Sequence, residues 1–229
     1  YSIYANIYSG SAWGGATLIE SADFSAASPQ IASDGTGYAV TWHQYDGTAY
    51  SIYANIYSGS VWGGATLLEN ITNHIYDPPR IASNGTGYAV AWYLYEGGNG
   101  NIYANLYNGT EWQQDGSGDP APTIIGSNGS SAYTPQIASN GAGYVVTWSQ
   151  YGDGGILNIY ANIYSSSAWG GAAVIETTDY DASSPQIASD GTGYAVTWSQ
   201  SDGTADSIYA NIYDGASWGT ETLLESAND

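Results

Sequence analysis

The sequence predicts an all-β fold, an array of four-stranded antiparallel sheets with no helices, from a repeat and from the pattern inside it. The tetrapeptide Ile-Tyr-Ala-Asn begins at five positions separated by 49, 50, 57 and 49 residues: Ile3, Ile52, Ile102, Ile159 and Ile208. The other half of the repeat, Pro-x-Ile-Ala-Ser-[Asp/Asn]-Gly-x-Gly-Tyr-x-Val-x-Trp, occurs four times. A period of about 50 residues is typical of propeller blades, solenoids and arrays.

Four strands can be read within one unit. Asp190 and Gly191 separate the apolar runs Gln-Ile-Ala-Ser and Tyr-Ala-Val-Thr-Trp, and Asp-Gly between such runs is a strong hairpin signal. The following Ser-Ile-Tyr-Ala-Asn-Ile-Tyr alternates between two faces, as a third strand does. Residues 222–225, Thr-Leu-Leu-Glu, form a short fourth strand after a turn that carries Trp218.

The units form one repeat domain over residues 1–229. Residues 1–20 are a half unit, and the full units are 21–69, 70–126, 127–176 and 177–225. A single four-stranded sheet cannot bury both of its apolar faces, so neighbouring units must cover them. Stacking around an axis gives a β-propeller or a propeller-like ring, whereas a linear stack is the competing arrangement.

The chain starts and stops out of phase with its own unit, since both terminal pieces end with a second half. Three interpretations follow. The chain is a portion of a longer or processed protein, a five-unit ring tolerates one two-stranded blade, or the edge at residues 1–8 pairs with another subunit. An unpaired edge strand is a template for strand addition, and a contact that does not close generates filaments.

Charge excludes one class of partner. The sequence has a single basic residue, Arg80, against 21 Asp and Glu, for a formal net charge of −20. Binding to phosphates needs clustered Lys and Arg, so nucleic acid is excluded as a partner, and so are anionic membranes. The acidity keeps edge-rich sheets soluble, with cation-dependent adhesion as the alternative. No apolar run is long enough for membrane insertion.

The unit resembles tandem repeats of about 50 residues in secreted and cell-surface proteins of bacteria and archaea. The residues that carry the resemblance follow the loose form PQIA-DG-G-AVW-DG-NIYA-Y-W, and the match covers essentially the whole chain. Such repeats are treated as β-propeller blades and occur beside adhesive, lectin-like and hydrolase modules. The resemblance therefore implies an extracellular or cell-surface location, and binding or structure rather than a reaction.

Recurrent carboxylates suggest a site but do not define one. Four of the five fourth strands end in Glu and the third in Gly126; the four are Glu20, Glu69, Glu176 and Glu225. With Asp23, or with Asp179 and Asp181, they could approach a calcium ion, but the spacing matches no calcium loop. We therefore predict a solvated rim, no metal site and no cofactor.

No catalytic residues are predicted. The two histidines, His43 and His74, occupy non-equivalent positions and have no nucleophile motif nearby, so we expect both on the surface. Arg80 alone cannot form the arginine cluster of a sialidase-like site. A glycosidase that uses two carboxylates stays open, but near-identical copies do not single out one pair.

Tryptophan recurs at two positions of the unit. Trp42, Trp92, Trp148 and Trp198 belong to the second strand, and strict recurrence favours packing between sheets. A second set follows the third strand: Trp13, Trp62, Trp112, Trp169 and Trp218. These turn-borne rings either pack as well or stack on sugar rings as a ligand-binding set.

Four Asn-x-Ser/Thr sequons are candidate glycosylation sites: Asn70, Asn84, Asn108 and Asn128. Asn84 and Asn108 lie in predicted turns, where Asn-Gly is favoured for its backbone conformation alone. The third copy is irregular, since residues 111–122 replace the usual Trp-Gly-Gly-Ala with a longer, Pro- and Gly-rich loop. Such an insertion is either functional or a tolerated surface change.

The sequence thus predicts a non-enzymatic extracellular surface or matrix protein with a structural and adhesive role. Self-association through the unpaired half-unit edge, or contact with other surface proteins, would supply that role. The alternative is a carbohydrate-binding, lectin-like propeller that binds glycans, and a glycoside hydrolase fragment is a third interpretation.

Overall fold

The computed structural model describes residues 1–20, 24–71, 77–126, 129–177 and 179–225. These residues form strands and turns, with a single 3-10 helix at Asp153–Gly155. No helix in the described ranges has the length and apolar character needed to cross a membrane. The predicted all-β class is confirmed.

Each full unit is an antiparallel sheet whose strands follow one another in sequence order. The half unit comprises β1 (Tyr4–Ala5), β2 (Tyr8–Ser9), β3 (Ala12–Trp13) and β4 (Thr17–Leu18). The first full unit comprises β5 (Ala26–Ser33), β6 (Tyr38–Tyr45), β7 (Tyr50–Ser58), β8 (Val61–Trp62) and β9 (Thr66–Leu67). The second comprises β10 (Arg80–Ser83), β11 (Tyr88–Glu96), β12 (Asn99–Tyr107) and β13 (Thr123–Gly126). The third comprises β14 (Ala132–Ser139), β15 (Tyr144–Tyr151), β16 (Leu157–Ser165), β17 (Ala168–Trp169) and β18 (Ala173–Val174). The fourth comprises β19 (Ala182–Ser189), β20 (Tyr194–Ser201), β21 (Asp206–Tyr213) and β22 (Thr222–Leu223).

The predicted Asp-Gly hairpin is confirmed between β19 and β20. The Asp190 carboxylate accepts hydrogen bonds from the backbone N–H groups of Thr192 and Gly193, at 2.8 and 2.9 Å. Gly191 has φ of 92°, a left-handed conformation that favours glycine. A Cβ at Gly193 would collide with the carbonyl oxygen of Tyr213 on the neighbouring strand. The turn sequence is therefore fixed by backbone geometry.

The sheets are arranged radially, with their first strands innermost. β5 contacts β10, β10 contacts β14 and β14 contacts β19. Near this axis a pocket of about 150 Å³ is lined by prolines from three units, Pro78, Pro135 and Pro185. A linear stack would not bring the first strands of three sheets to one pocket. The propeller-like arrangement is therefore the observed one.

Apolar side chains from adjacent sheets form the core. Between the first and second full units, Ile52 and Leu68 of one sheet pack against Val90 and Trp92 of the next. The indoles of the second-strand tryptophans are 0–1% exposed at these interfaces: Trp42, Trp92, Trp148 and Trp198. The prediction that this set packs between sheets is confirmed.

An asparagine of the third strand also connects each full sheet to the sheet before it. Its side-chain amide donates to the carbonyl of an apolar residue that directly follows the preceding sheet's last short strand or, for Ile125, lies within it. The four bonds are Asn55 to Ile19 at 2.8 Å, Asn105 to Leu68 at 2.9 Å, Asn162 to Ile125 at 3.0 Å and Asn211 to Ile175 at 2.8 Å. The Asn of the recurrent Ile-Tyr-Ala-Asn is thus an inter-sheet donor.

The sheets of the described residues are not joined by strand pairing into a closed ring. The half unit packs one face on the first full unit, where Ile3 and Ile19 join the cluster around Trp42. Other side chains of the half unit are exposed, among them Trp13 at 67%. At the other end of the array Ile212 and Leu224 are also exposed, at 61% and 57%.

Candidate functional site

A cleft of about 680 Å³ lies between the second and third full units, on the side of their third and fourth strands. We call it the tryptophan cleft, because Trp112 of one unit and Trp169 of the next both line it. The remaining lining residues are mostly polar: Leu106, Asn108, Glu111, Gln113, Gln114, Asp115, Thr123, Tyr164, Ser167 and Ala168. Aromatic rings thus meet amides, carboxylates and hydroxyls in one place.

The two indoles are held by tyrosines of their own sheets. The Trp112 ring lies 5.3 Å from that of Tyr107, and the Trp169 ring lies 5.3 Å from that of Tyr164. Trp112 is buried at 4% exposure, whereas Trp169 is half-buried. Trp169 therefore presents more ring surface to the cleft than Trp112, which is almost fully buried.

The irregular insertion forms the polar wall of the cleft. Residues Gln114 and Pro120 form an isolated bridge, and the Asp115 backbone N–H donates to the Asp119 carbonyl at 2.9 Å. The Asp115 carboxylate accepts from the Ser117 N–H at 2.7 Å, which closes the loop on itself. The loop is thus a compact turn that projects exposed Gln113, Gln114 and Asp115.

The sequence did not predict that Gln113, Gln114 and Asp115 of this loop line a cleft. The signal was present, because the insertion directly follows Trp112 and is unique to one copy. What the sequence could not show is that Trp169, 57 residues further along, faces the same space.

The other turn tryptophans do not share this cleft. Trp13 and Trp62 line a different groove, at the half unit. Trp218 is half-buried and lies 5.4 Å from the Tyr213 ring. All five therefore take part in tyrosine contacts and four are packed to some degree, so the packing interpretation holds for most of the set. Sugar stacking by any of them stays a prediction.

The predicted rim of solvated carboxylates is wrong for two of its four members. Glu69 is 1% exposed and Glu176 is 6% exposed, because both follow the fourth strand into the interface with the next sheet. The Glu176 carboxylate accepts from the Gln200 amide at 3.2 Å, and Gln200 in turn accepts from the Trp198 indole N–H at 2.8 Å. Glu20 is half-buried, and only Glu225 is exposed.

The second full unit lacks the hydrogen bond between the tryptophan indole and a glutamine. Leu94 stands where the other units have Gln44, Gln150 and Gln200, so the Trp92 indole N–H is buried without a hydrogen-bond partner. One oxygen of Glu69 accepts from the Ile71 N–H at 2.5 Å, and the other is buried without a partner. Burial therefore raises the pKa of Glu69.

The predicted surface position of His43 is also wrong. Its ring is half-buried, 5.4 Å from the ring of Tyr50, and burial lowers its pKa. His74 and Asp23 lie outside the described residues. Arg80 lines the axial pocket beside Gln136 and Gln186, away from the tryptophan cleft. Within the described ranges, no group of three His, Asp or Glu side chains is placed to hold a metal ion.

Three of the four sequon asparagines are described. Asn70 and Asn108 are exposed, and Asn84 is half-buried. In two of them the side-chain oxygen accepts from the sequon threonine: Asn84 from Thr86 Oγ1 at 3.0 Å and Asn108 from Thr110 Oγ1 at 2.7 Å. The expected turn role of Asn84 and Asn108 is confirmed, and glycosylation stays a prediction. Asn128 lies outside the described residues.

Comparisons with solved structures give the fold. The N10 neuraminidase-like protein of A/little yellow-shouldered bat/Guatemala aligns with a TM-score of 0.55 at 10% identity, over 88% of this chain and 59% of that one. The chain has a propeller-like fold. The GH93 α-L-arabinofuranosidase of Fusarium graminearum, in complex with arabinobiose, gives 0.52 at 11% identity over 86% and 65%. Trypanosoma rangeli sialidase, in complex with sialic acid, gives 0.54 at 10% identity over 96% and 40%.

The comparisons by sequence found no match. No family model matches the chain, and no curated protein matches it either. The chain spans 59% of the N10 protein and 65% of the arabinofuranosidase. At identities of 10–11% these similarities extend to the fold and not to the sites.

Proposed function

We propose that the protein is a non-catalytic, extracellular or cell-surface propeller-like module that binds carbohydrate in the tryptophan cleft. The observation that carries the proposal is the meeting of Trp112 and Trp169 with the polar insertion loop in one cavity of about 680 Å³. That volume lies in the range of small-ligand pockets, and the mostly polar lining offers hydrogen-bond partners to sugar hydroxyls. An adhesive role then follows from glycan recognition.

The chemistry of the cleft suits a neutral oligosaccharide. The apolar face of a pyranose or furanose ring packs on an indole, as at Trp169, and its hydroxyls pair with amide and carboxylate groups such as those of Gln114 and Asp115. Glu111 and Asp115 add negative charge to a chain that already carries −20. Acidic sugars would be repelled. Support from fold relatives is limited to one printed neutral ligand, the arabinobiose of the arabinofuranosidase.

A binding role fits the site better than a catalytic one. The cleft contains no histidine, lysine or arginine among its lining residues, and its two carboxylates are exposed on a turn. General acid catalysis requires a carboxyl group whose pKa is raised by its surroundings. Glu69, whose pKa is raised by burial, is packed between sheets and does not line the cleft.

Titration calorimetry of the purified chain against neutral and acidic oligosaccharides tests the proposal. We expect a neutral glycan to bind and the variants Trp169→Ala and Gln114→Ala to weaken its binding about tenfold or more. Trp218→Ala is the matched control, because it removes the equivalent indole outside the cleft. Equal loss in Trp218→Ala, or no binding by any glycan, would overturn the assignment. Release of reducing sugar would overturn the non-catalytic role.

A second candidate function is self-association through the half unit. The observation that favours it is the exposed edge of residues 1–9, whose identical copy at residues 50–58 is fully paired. Light scattering over a concentration series tests it, since growing mass supports assembly and a constant monomer mass excludes it.

A further inference from the structure

The repeat is broken near the axis, where the second full unit carries two charged residues, Asp77 and Arg80. The other full units have glutamine in place of Arg80: Gln30, Gln136 and Gln186. In place of Asp77 they have the uncharged residues Ala27, Tyr133 and Ser183. Arg80 is also the single basic residue in a chain with 21 Asp and Glu. Two neighbouring departures of opposite charge in so regular a repeat point to a local role.

The backbone departs from the repeat at the same place, because of Pro78. In the other full units the first strand is interrupted by a bulge at a residue with positive φ: Ser28 at 55°, Thr134 at 51° and Ser184 at 56°. Pro78 stands at this position, and proline cannot adopt a positive φ. Pairing in the second unit accordingly starts at Arg80, opposite Ala91, and β10 has four residues where β5, β14 and β19 have eight. Asp77 is therefore carried on a segment outside the sheet.

The axial pocket of about 150 Å³ is lined by both charged side chains. Its other polar lining residues come from two further units: Thr134 and Gln136 from the third, Ser184 and Gln186 from the fourth. Proline residues form the rest of its wall. Three sheets therefore converge on one small space that contains a cation, an anion, hydroxyls and amides.

The two charges do not pair with each other. Within the described ranges, no Asp or Glu oxygen lies within 4.0 Å of an Arg80 nitrogen, and the guanidinium donates no hydrogen bond. Arg80 and Asp77 are both half-buried, so each charge is partly withdrawn from water. A guanidinium presents its donors in a planar fork that matches a carboxylate. Arg80 is thus a donor for a carboxylate, and Asp77 is an acceptor on the same pocket.

We propose that the axial pocket binds a small zwitterion, a free α-amino acid of the size of glycine or alanine. The carboxylate of the ligand pairs with the Arg80 guanidinium, and its ammonium group pairs with the Asp77 carboxylate. The Thr134 hydroxyl and the Gln136 amide supply further hydrogen bonds. The cavity has room for about five water-sized groups, which suits these two amino acids.

Net charge favours a zwitterion over a simple ion. A lone anion would be repelled by a chain of charge −20, and a lone cation would leave Arg80 without a partner. A zwitterion satisfies both side chains and brings no net charge. The axial pocket shares no lining residue with the tryptophan cleft, so the inference does not depend on glycan binding.

Titration calorimetry of the whole chain with glycine and L-alanine tests the site. Acetate and methylammonium are the matched ligands, because each carries one of the two charged groups. We expect the amino acids to bind saturably and each single ion to bind about tenfold more weakly or less, since one charged contact is lost. Equal binding of acetate would make the pocket an anion site, and equal binding of methylammonium would reflect the acidity of the chain. Either result, or no binding of the amino acids, would overturn the proposal.

Arg80→Gln and Asp77→Ser test the two contacts with substitutions that the repeat itself contains. They give the second unit the residues found at Gln186 and Ser183, so both variants should fold. Each should weaken glycine binding about tenfold or more. Asp202→Asn is the control, since Asp202 lies in an exposed turn and does not line the pocket. Unchanged binding in either test variant, or an equal loss in the control, would contradict the assignment.

Protection of Arg80 from chemical modification gives a second measurement on the unaltered chain. The sequence has no other arginine or lysine, so an arginine-specific dicarbonyl reagent, followed by mass spectrometry, reports on Arg80 alone. L-Alanine should slow the modification. ε-Aminocaproate should not, because its two charged groups are too far apart for the pocket, and it controls for consumption of the reagent. Equal rates with both compounds would remove the site.

The results also separate this site from the proposed glycan site. A chain that binds glycine but no glycan retains the axial site and loses the carbohydrate-binding function. A chain that binds a neutral glycan but no amino acid loses only the axial site.

Discussion

The Asn105 side-chain amide donates to the Leu68 carbonyl at 2.9 Å across the interface between two sheets, and Asn105 is fully buried. Its oxygen also accepts from the Gln113 N–H at 3.0 Å, at the start of the insertion loop. One side chain therefore connects a core interface to a wall of the tryptophan cleft. Stability and ligand binding should be coupled at this position.

Replacing Asn105 with alanine should destabilise the protein by about 1–3 kcal/mol, because buried backbone groups lose their partner. Urea denaturation followed by tryptophan fluorescence measures the loss. Asn6→Ala is the matched control, since exposed Asn6 donates only to Gly14 within the half unit. If the two variants lose the same stability, the inter-sheet bond is not the cause.

Gly126 stands where other units have glutamate, and the Trp148 ring lies directly against it. A Cβ at Gly126 would lie 2.5 Å from the Trp148 ring carbon Cζ2, so Gly126→Ala should overpack the interface and cost about 1–3 kcal/mol. Thermal unfolding checks this value. Gly116→Ala should be nearly neutral, because no heavy atom lies within 4 Å of its added Cβ. A stable Gly126→Ala protein would mean that Trp148 can shift at low cost.

The repeat made most of the fold predictable, because strict recurrence exposes strand alternation and turn chemistry together. The Asp-Gly hairpin and the buried Trp198 follow from local pattern alone. The burial of Glu69 and Glu176 does not, because it depends on how far one sheet overlaps the next. Predicting the tryptophan cleft also requires knowing how neighbouring sheets are placed. Trp112 and Trp169 meet only once the angle between sheets is known.

The Asp190 turn should give the protein an acid-sensitive element. Hydrogen bonds from the Gly193 N–H, and from the Thr192 hydroxyl and N–H, lower the pKa of Asp190 to about 2 from an ordinary value of 3.8. A lowered folded-state pKa contributes stability that is present above pH ~4 and is lost as the pH falls through ~2. The position is fully exposed, so the effect is expected to be small.

Asp190→Asn preserves the acceptor oxygen, as Asn84 and Asn140 do in other units. We expect the variant to match the wild type at pH 7 and to lose less stability between pH 4 and pH 2. Denaturation midpoints across this range measure the difference. Parallel pH profiles for the two proteins would show that Asp190 does not contribute.

Glu69 should titrate in the opposite sense. Burial raises its folded-state pKa above the ordinary value of 4.5, because desolvation between the sheets disfavours the charged form. The stability contributed by the protonated Glu69 carboxyl is fully present below pH ~4.5 and is lost as the pH rises through the folded-state pKa. Glu69→Gln keeps an oxygen for the Ile71 N–H and removes the buried charge. The free energy of unfolding at pH 7 should therefore increase by about 1 kcal/mol or more, with little change at pH 4. Glu111→Gln, on an exposed residue, is the control for loss of charge alone. An equal gain in both variants would assign the effect to the net charge of −20 rather than to burial.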